Sequence, residues 1–302
     1  MAAGAPADRL ATDRRKTLVI SVASGKGGTG KTTVAANMAW AASSLEPVTF
    51  LDCDVEEPDS HFYLKPEWQS EVDVCMPVPV VDSSRCDGCG KCAEFCRYNA
   101  LAAIKGDVLV FQELCHGCGG CALVCPLKCV TYTDRRIGIV REGARGGIRL
   151  YQGLLDIGEP VAVPVLKQVK EMRADNGLTL IDCPPGTGCP MVNSIRGADY
   201  CLLVTEPSPF GRHDLDLAHR AALELGVPHG VLINRSSPND AMIDDYCEEE
   251  GLEVFGRIPF SRDLAEACSR GEMRTETDET WSWRFLKILE EVRKACRLNS
   301  LS

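Results

Sequence analysis

The sequence Ser24-Gly25-Lys26-Gly27-Gly28-Thr29-Gly30-Lys31-Thr32-Thr33 decides the fold of this chain. It follows an apolar run, Leu18-Val19-Ile20-Ser21-Val22, and precedes an alanine-rich run, Val34-Ala35-Ala36-Asn37-Met38-Ala39. This order predicts a buried strand, a glycine loop and a helix, which is the context of a phosphate-binding loop. The glycines let backbone N–H groups turn toward phosphate oxygens, and the helix N-terminus adds a partial positive charge.

The same stretch matches the pattern G-x-x-x-x-G-K-[ST] from Gly25 to Thr32. In this pattern the lysine, here Lys31, contacts the β- and γ-phosphates, and the hydroxyl of Thr32 ligates Mg²⁺. We therefore expect ATP or ADP with Mg²⁺ as ligands. The nucleotide-binding residues predicted in this loop are Gly25, Lys26, Gly27, Gly28, Thr29, Gly30, Lys31, Thr32 and Thr33.

A second lysine, Lys26, stands five residues before Lys31. With it, the loop resembles the deviant Walker A family of P-loop ATPases, the group of MinD, ParA, Mrp and the nitrogenase iron protein. The resemblance implies that Lys26 crosses a dimer interface and touches the nucleotide of the partner; a solvated loop lysine is the alternative. It also implies an ATPase that is slow without a partner and works as a homodimer or as a heterodimer with a paralogous ATPase.

Two further apolar runs end in aspartates, one in Asp52 and Asp54 and the other in Asp182. Ligands bind at the carboxyl ends of strands in α/β sheets, so these carboxylates are expected near the Mg²⁺ and the phosphates. The resemblance implies that Asp54 orients the attacking water and is catalytic together with Lys26 and Lys31. It also implies that Asp52 supports the metal shell and that Asp182 holds a Mg²⁺-bound water.

The segment after Asp182, Pro184-Pro185-Gly186-Thr187-Gly188, resembles the second switch of the same family. There Gly186 would present its N–H to the γ-phosphate and move when that phosphate leaves. The strand Gly230-Val231-Leu232-Ile233 runs into Asn234 and Arg235. The resemblance implies that Asn234 reads the adenine edge, since an amide both donates and accepts, and that Arg235 and Pro259 complete the nucleotide site; a plain loop asparagine remains the alternative.

Seventeen cysteines are present, and eight of them fall in two runs with the spacing C-x₂-C-x₂-C-x₃-C. This is the spacing of two-cluster bacterial ferredoxins, in which the fourth cysteine of each run ligates the other cluster. Zinc ribbons use two C-x₂-C pairs instead, which makes zinc the weaker alternative. The spacing thus predicts two [4Fe–4S] clusters, one held by Cys86, Cys89, Cys92 and Cys125 and the other by Cys115, Cys118, Cys121 and Cys96.

Two residues depart from this ferredoxin pattern. Arg97 stands where a proline usually follows the last cysteine of the first run. The exchange puts the local turn and the potential of that cluster in doubt, but not the cluster itself. Cys129 is an extra thiol close to the second run, and we interpret it as a non-ligand, with a ligand swap or a redox role left open.

These motifs predict an α/β fold, a P-loop NTPase with a mainly parallel sheet flanked by helices and an inserted α+β ferredoxin-like domain. The run Val72–Val81 suits an edge strand leading out of the core, since Pro77 and Pro79 cannot donate to a central ladder. The insert should contain a repeat of cysteine loop, short helix and β-piece, the second piece at Val130–Tyr132, and a helix is expected to start at Pro160. The predicted units are a disordered leader (1–16), an ATPase domain (17–82 and 135–302) and the insert (83–134).

Composition limits the partners and the compartment. The net charge of −10 over 302 residues disfavours binding to nucleic acid. No run has the length of a membrane-spanning helix, and the amphipathic run Trp281–Val292 carries Glu290 and Glu291, which favours packing on the sheet over membrane binding. Clustered cysteines beside an ATP site indicate metal in a reducing compartment, so we expect a cytoplasmic protein.

The whole pattern identifies the chain as a member of the MinD-superfamily P-loop ATPases with an inserted two-cluster ferredoxin domain, a group that includes relatives of the orange-protein complex. The resemblance implies ATP-dependent switching coupled to electron transfer toward a redox partner protein or a small metallocluster-carrier protein. Two alternatives remain open at this point. One is an iron–sulfur or metallocluster carrier or assembly ATPase of the Mrp type, and the other is a MinD-like positioning ATPase.

Overall fold

The computed structural model describes residues 17–299, so the predicted leader at 1–16 lies outside the described residues. Eleven strands occur in this range: β1 Leu18–Ala23, β2 Val48–Asp52, β3 Glu67–Val81, β4 Leu101–Ile104, β5 Asp107–Val110, β6 Val130–Arg145, β7 Ile148–Leu155, β8 Leu178–Asp182, β9 Tyr200–Thr205, β10 His229–Ser236 and β11 Val254–Pro259. The α-helices of the same range are α1 Lys31–Ser43, α2 Ser60–Leu64, α3 Lys91–Phe95, α4 Gly120–Leu123, α5 Val163–Glu171, α6 Cys189–Ile195, α7 Pro209–Glu224, α8 Ala241–Glu249, α9 Arg262–Ser269, α10 Arg274–Thr277 and α11 Glu279–Asn299.

Nine of these strands form one sheet in the order β11-β10-β9-β1-β8-β2-β7-β6-β3. The seven strands from β11 to β7 are parallel, and β6 and β3 close one side as an antiparallel pair. Helices α1, α9 and α11 cover one face, and α5 to α8 cover the other. The predicted α/β fold with a mainly parallel sheet is therefore confirmed. The central strands are buried on both faces, which is why they are continuous apolar runs.

The strand–loop–helix unit at the start of the sheet follows from its local sequence. Five of the six residues of β1 are buried. Gly30, just before α1, has φ 90°, a left-handed conformation that glycine adopts without strain. Helix α1 is alanine-rich and buried on most sides, because it lies between the sheet and α11. The loop between β1 and α1 therefore stands at the carboxyl edge of the sheet.

Strands β3 and β6 form a ribbon that extends past this edge. They pair from Glu67 and Ala144 to Val81 and Val130, whereas β6 pairs with β7 only from Gly138 onward. Residues 130–137 therefore continue beyond β7 for about 25 Å, at roughly 3.3 Å per residue. We call this part of β3 and β6 the ribbon. It confirms β3 as an edge strand, and it carries residues 82–129 on the same side of the sheet as the loop.

The cysteine-containing segment 82–129 packs against one face of the ribbon. Val74, Met76 and Val78 are buried at alternate positions of β3, as expected for one face of a strand. They join the apolar cluster that contains Ala100 and Leu101 of the segment. The segment itself holds α3, α4, a short 3₁₀ helix at Gln112–Leu114 and the two-stranded sheet of β4 and β5.

The structure differs from the sequence-based expectations at three boundaries. Helix α5 begins at Val163 and not at Pro160, because the next proline in the chain, Pro164, occupies its first turn. The run Val130–Tyr132 starts β6 of the main sheet and is not a separate β-piece of a repeat, since it pairs with β3. For the same reason β6 runs unbroken through residue 134, where the sequence places the end of the insert. Strand β2 ends at Asp52, so Asp54 lies in the segment that follows it.

The C-terminal helix packs on the sheet as the sequence predicts. Phe285, Ile288, Leu289 and Val292 of α11 are buried with the side chains of α1 and β11. Within residues 17–299, no helix is both long enough and apolar enough to cross a membrane.

Candidate functional site

The glycine loop is held by close contacts that only glycine permits at two positions. A Cβ at Gly25 would lie 2.0 Å from the carbonyl oxygen of Asp214 in α7. A Cβ at Gly30 would lie 2.4 Å from Nδ2 of Asn234. Lys31 is buried in the first turn of α1, only 6% exposed, whereas Gly27 and Gly28 are exposed. The loop thus presents its backbone to solvent at the N-terminus of a helix, which suits an anionic ligand.

Two of the predicted aspartates meet in register beside this loop. Asp52 at the end of β2 is the cross-strand neighbour of Asp182 at the end of β8, and both are fully buried. Ser60 Oγ donates to Asp52 Oδ2 at 2.5 Å, and Gln152 Nε2 donates to the same oxygen at 3.0 Å. Burial raises the pKa of Asp52 to about 6 in spite of these hydrogen bonds. Asp52 is therefore fixed in place by Ser60 and Gln152.

Asp182 has no such partners. Neither of its carboxylate oxygens has a hydrogen-bond partner of normal geometry in the described part of the chain. Burial, followed by the charge of Asp52, raises the pKa of Asp182 well above its usual value, and Thr32 and Lys31 oppose the rise. A buried carboxylate without partners is costly unless a cation or a bound water satisfies it. The residues therefore fit Mg²⁺: the Thr32 hydroxyl would ligate the ion and Asp182 would hold a metal-bound water, and the ion would neutralise charge on the phosphates.

Asp54 lies just past the end of β2 and is partly exposed. Burial, followed by the negative charge of Asp52, raises the pKa of Asp54 to about 7, and Lys31 opposes the rise. A carboxylate with a pKa near 7 suits a group that accepts a proton from water. The structure thus brings Asp54 into the electrostatic neighbourhood of Asp52 and Lys31.

The second lysine of the loop is paired within its own chain. Lys26 Nζ lies 2.7 Å from Glu206 Oε1, and Arg235 reaches the other oxygen of Glu206 at 2.8 Å. Glu206 follows β9, and Arg235 lies within β10 at φ 53°. Burial acts against the ionised form of Glu206, but the two cations lower the pKa of Glu206 below its usual value. One carboxylate therefore joins Lys26 to Arg235.

The amide of Asn234 is already engaged with the loop. Its Nδ2 donates to the carbonyl of Thr29 at 2.7 Å, and its Oδ1 accepts from the backbone N–H of Arg235 at 2.9 Å. Both amide atoms retain further hydrogen-bonding capacity for a base. Pro259 is the exposed last residue of β11, next to β10 in the sheet. Asn234 thus connects the end of β10 to the glycine loop.

Gly186 contacts the same loop from the other side. Its backbone N–H donates to the carbonyl of Ser24 at 3.2 Å, and its φ of 88° lies in the left-handed region. The N–H expected to meet a γ-phosphate therefore has a protein partner here. A group with two alternative partners is the kind of element that a bound phosphate can switch.

The sequence did not indicate three residues of this site: Ser60 and Gln152, which bind Asp52, and Glu206, which pairs with Lys26. Gln152 lies in register with Asp52 across β2 and β7, so it could be found only after the strand order was known. Ser60 and Glu206 act through contacts between distant parts of the chain or across a turn. No local motif marks any of them.

The eight motif cysteines line two separate small cavities. Each cavity takes three cysteines from one run and the fourth from the other run, as the crossed spacing predicts. The first cavity is lined by Cys86, Cys89, Cys92 and Cys125, with Cys129 as a fifth thiol. The second is lined by Cys115, Cys118, Cys121 and Cys96.

The described residues contain no preformed site for a single metal ion, which bears on the choice between zinc and a cluster. Among residues 17–299, no three or more His, Cys, Asp or Glu side chains form a group that could hold one metal ion. A tetrahedral zinc site needs all its sulfur atoms about 2.3 Å from one centre. In a cubane each thiolate binds a different iron, so the four sulfur atoms stand farther apart. The preference for a cubane over zinc therefore rests on the C-x₂-C-x₂-C-x₃-C spacing of the two cysteine runs.

The sheet, the glycine loop and the carboxylates at the strand ends define a P-loop nucleotide-binding protein. Residues 20–274 match the CobQ/CobB/MinD/ParA nucleotide binding domain, CbiA, so the chain belongs to that family.

Three known proteins illustrate the similarity. An uncharacterized protein of Methanocaldococcus jannaschii is 26% identical over 280 residues, which cover 88% of this chain and 97% of the relative. A cytosolic Fe-S cluster assembly factor NUBP1 homolog of Caenorhabditis briggsae is 22% identical over 316 residues, covering 95% and 82%. The structure of the septum site-determining protein MinD of Pyrococcus horikoshii with Mg-ADP superposes with a TM-score of 0.58 at 18% identity, covering 91% and 96%; it shares the fold.

Proposed function

We propose that this protein is an ATP-hydrolysing iron–sulfur protein that couples nucleotide-dependent switching and dimerisation to electron transfer through two [4Fe–4S] clusters to a partner protein. The observation that carries the proposal is the joining of a P-loop site and two four-cysteine cavities by one antiparallel ribbon. The ribbon leaves the sheet beside the end of β7, where Leu155 is hydrogen-bonded to Val55, the residue after Asp54. A change at the nucleotide can therefore act on the cavities through backbone contacts.

Two hydrogen bonds support this coupling. The N–H of Leu155, at the end of β7, donates to the carbonyl of Val55, which directly follows Asp54, at 2.8 Å. The next N–H, that of Asp156, donates to the carbonyl of Ile137 in the ribbon at 2.9 Å. Movement of the segment after Asp54 would thus pull on the base of the ribbon. These hydrogen bonds form a continuous path from the segment after Asp54 to the ribbon, and the strength of the coupling along it has to be measured.

In the proposed cycle, Lys31, Thr32 and the loop N–H groups bind the phosphates of Mg²⁺–ATP, while Asp54 orients the attacking water. Lys26 leaves Glu206 and reaches the nucleotide of a second subunit, which makes the dimer dependent on ATP. The N–H of Gly186 exchanges the carbonyl of Ser24 for the γ-phosphate. Hydrolysis reverses these contacts, because the γ-phosphate that they share is lost.

The proposal is tested on anaerobically purified protein by iron and sulfide analysis, electron paramagnetic resonance and an ATPase assay on one sample. We expect about eight irons per chain, as two cubanes require. We also expect the spectrum of the reduced protein, and its rate of oxidation by ferricyanide, to differ between Mg²⁺–ADP and a non-hydrolysable ATP analogue. Lys31→Ala should keep the iron and lose the nucleotide effect. Protein without iron, or a spectrum and rate indifferent to nucleotide, would contradict the proposal.

A second candidate function is that of a cluster carrier. It is favoured by the relative named as an Fe-S cluster assembly factor and by the exposure of Cys89 and Cys118. Eight protein thiolates hold two clusters firmly, which argues for retention. Mixing the iron-loaded protein with an apo-ferredoxin distinguishes the two: rapid loss of iron to the acceptor supports a carrier, and retention supports electron transfer.

A further inference from the structure

We propose that Cys129 is a reserve ligand for the first cavity, able to replace Cys125 on the iron; the inference rests on the proposed function. Cys129 is only 2% exposed and lines the cavity together with the four predicted ligands. Its Sγ lies 3.4 Å from Sγ of Cys125, and its thiol also contacts that of Cys86. The first cavity therefore holds five thiols for four iron positions.

The backbone fixes Cys129 beside Cys125. Lys128 adopts φ 49°, and its N–H donates to the carbonyl of Cys125 at 3.3 Å, which turns the chain back on itself. Arg85 donates to the carbonyl of Leu127 at 3.0 Å and supports this turn. These contacts bring the two thiols to the same wall of the cavity.

Cys129 is also attached to the ribbon. The carbonyl of Cys129 accepts from the N–H of Asp82 at 2.9 Å, next to the last pair of β3 and β6. Cys125, in contrast, follows the four-residue helix α4 and is partly exposed. The reserve thiol is thus the more firmly held of the two, and loss of Cys125 would leave it in place.

The exchange balances as a ligand substitution. The bond between iron and Cys125 Sγ breaks, and a bond between the same iron and Cys129 Sγ forms. The proton of the Cys129 thiol passes to the released Cys125 thiolate, or to solvent in the Cys125→Ala variant, and no electron is transferred. The second cavity has no fifth cysteine among its lining residues, so it cannot make this exchange.

This asymmetry supplies a matched control. Cys125 and Cys96 are equivalent crossing ligands of the two cavities. After anaerobic reconstitution with iron and sulfide, we expect Cys125→Ala to keep about eight irons per chain and Cys96→Ala to fall to about four. Cys129→Ala should keep about eight, and the double variant Cys125→Ala with Cys129→Ala should fall to about four. Nucleotide binding by each variant checks its folding.

Three results would overturn the proposal. Cys125→Ala could lose iron as Cys96→Ala does, or the double variant could keep the full iron content, which would point to another ligand. Thirdly, the reduced Cys125→Ala spectrum could lack one of the two cluster signals. Wild-type protein without iron would overturn the proposed function itself, so the two failures are distinguishable.

Discussion

Asp182 is a buried carboxylate without a hydrogen-bond partner of normal geometry among residues 17–299, which is destabilising in the nucleotide-free protein. Replacing it by asparagine removes its repulsion with Asp52. We expect Asp182→Asn to stabilise the nucleotide-free protein by on the order of 1 kcal/mol and to abolish the increase in Tm that Mg²⁺–ADP gives. Thermal unfolding with and without nucleotide measures both effects. The exposed Asp175→Asn is the control and should behave as wild type; a destabilised Asp182→Asn would show that the carboxylate has an internal partner.

Protonation of Asp52 and Asp54 should make the stability of the nucleotide-free protein depend on pH. Burial raises the pKa of Asp52 to about 6 and that of Asp54 to about 7, above the unfolded value of 3.8. Between the unfolded pKa of 3.8 and the native pKa values, the native state binds more protons than the unfolded chain. The free energy of unfolding of the nucleotide-free protein therefore falls as pH rises from about 4 to about 7. Mg²⁺–ADP needs ionised carboxylates, so its effect on Tm should grow over the upper part of this range. An equal effect at about pH 5.5 and about pH 8 would contradict this.

The pairing of Lys26 with Glu206 opposes any contact of Lys26 with a second subunit. Glu206→Gln removes the charge that holds Lys26, so we expect ATP-dependent association to strengthen several-fold. Sedimentation velocity with Mg²⁺ and a non-hydrolysable ATP analogue measures it. Lys26→Ala should abolish the association, and the exposed Glu224→Gln should leave it unchanged. If Glu206→Gln weakens association as Lys26→Ala does, Glu206 supports the dimer.

At the scale of the element, two substitutions in the C-terminal helix α11 test whether this helix is packed in the core. Phe285 is 1% exposed against α1, whereas Trp283 on the same helix is 63% exposed. Phe285→Ala should lower the free energy of unfolding by about 3–5 kcal/mol, and Trp283→Ala should change it by less than about 0.5 kcal/mol. Urea denaturation measures both. Equal small effects would mean that the helix is not packed on the sheet.

Elements that are coded locally could be predicted, and their long-range contacts could not. The loop from Ser24 to Thr33 is predictable because strand, glycines and helix follow one another in sequence. The run that ends at Val81 and the run that starts at Val130 are both visible in the sequence, but their pairing is not, because it joins residues about fifty positions apart. The predicted start of α5 at Pro160 was wrong because Pro160 and Pro164 both suit the first turn of a helix, and the helix uses Pro164.

The same distinction holds for the candidate site. The aspartates follow apolar runs and the cysteines have a regular spacing, so the sequence alone indicated both as candidate site residues. The contact between Lys26 and Glu206 joins residues 180 positions apart, and the contact between Thr29 and Asn234 joins residues 205 positions apart. Such contacts depend on the order of strands in the sheet, which no local pattern encodes.

At the scale of the whole molecule, the path from Val55 through Leu155 to Ile137 predicts that nucleotide state reaches the ribbon. We expect amide hydrogen exchange in residues 130–137 to differ between Mg²⁺–ADP and a non-hydrolysable ATP analogue, because the base of the ribbon is linked through residues 155 and 156 to the segment after Asp54. Lys31→Ala should show no difference. Exchange that changes only in the glycine loop would mean that the ribbon does not sense the nucleotide.

The crossed cysteine sets also constrain the order of biogenesis. The second cavity has its four thiols once residue 121 has been synthesised, and the first once residue 125 has been, so a chain that stops after the first run lacks part of each set. The central sheet is completed later, because β2 pairs with β7 and β8, which lie within residues 148–182. Under the proposed function, both clusters could therefore be inserted before the central sheet is complete.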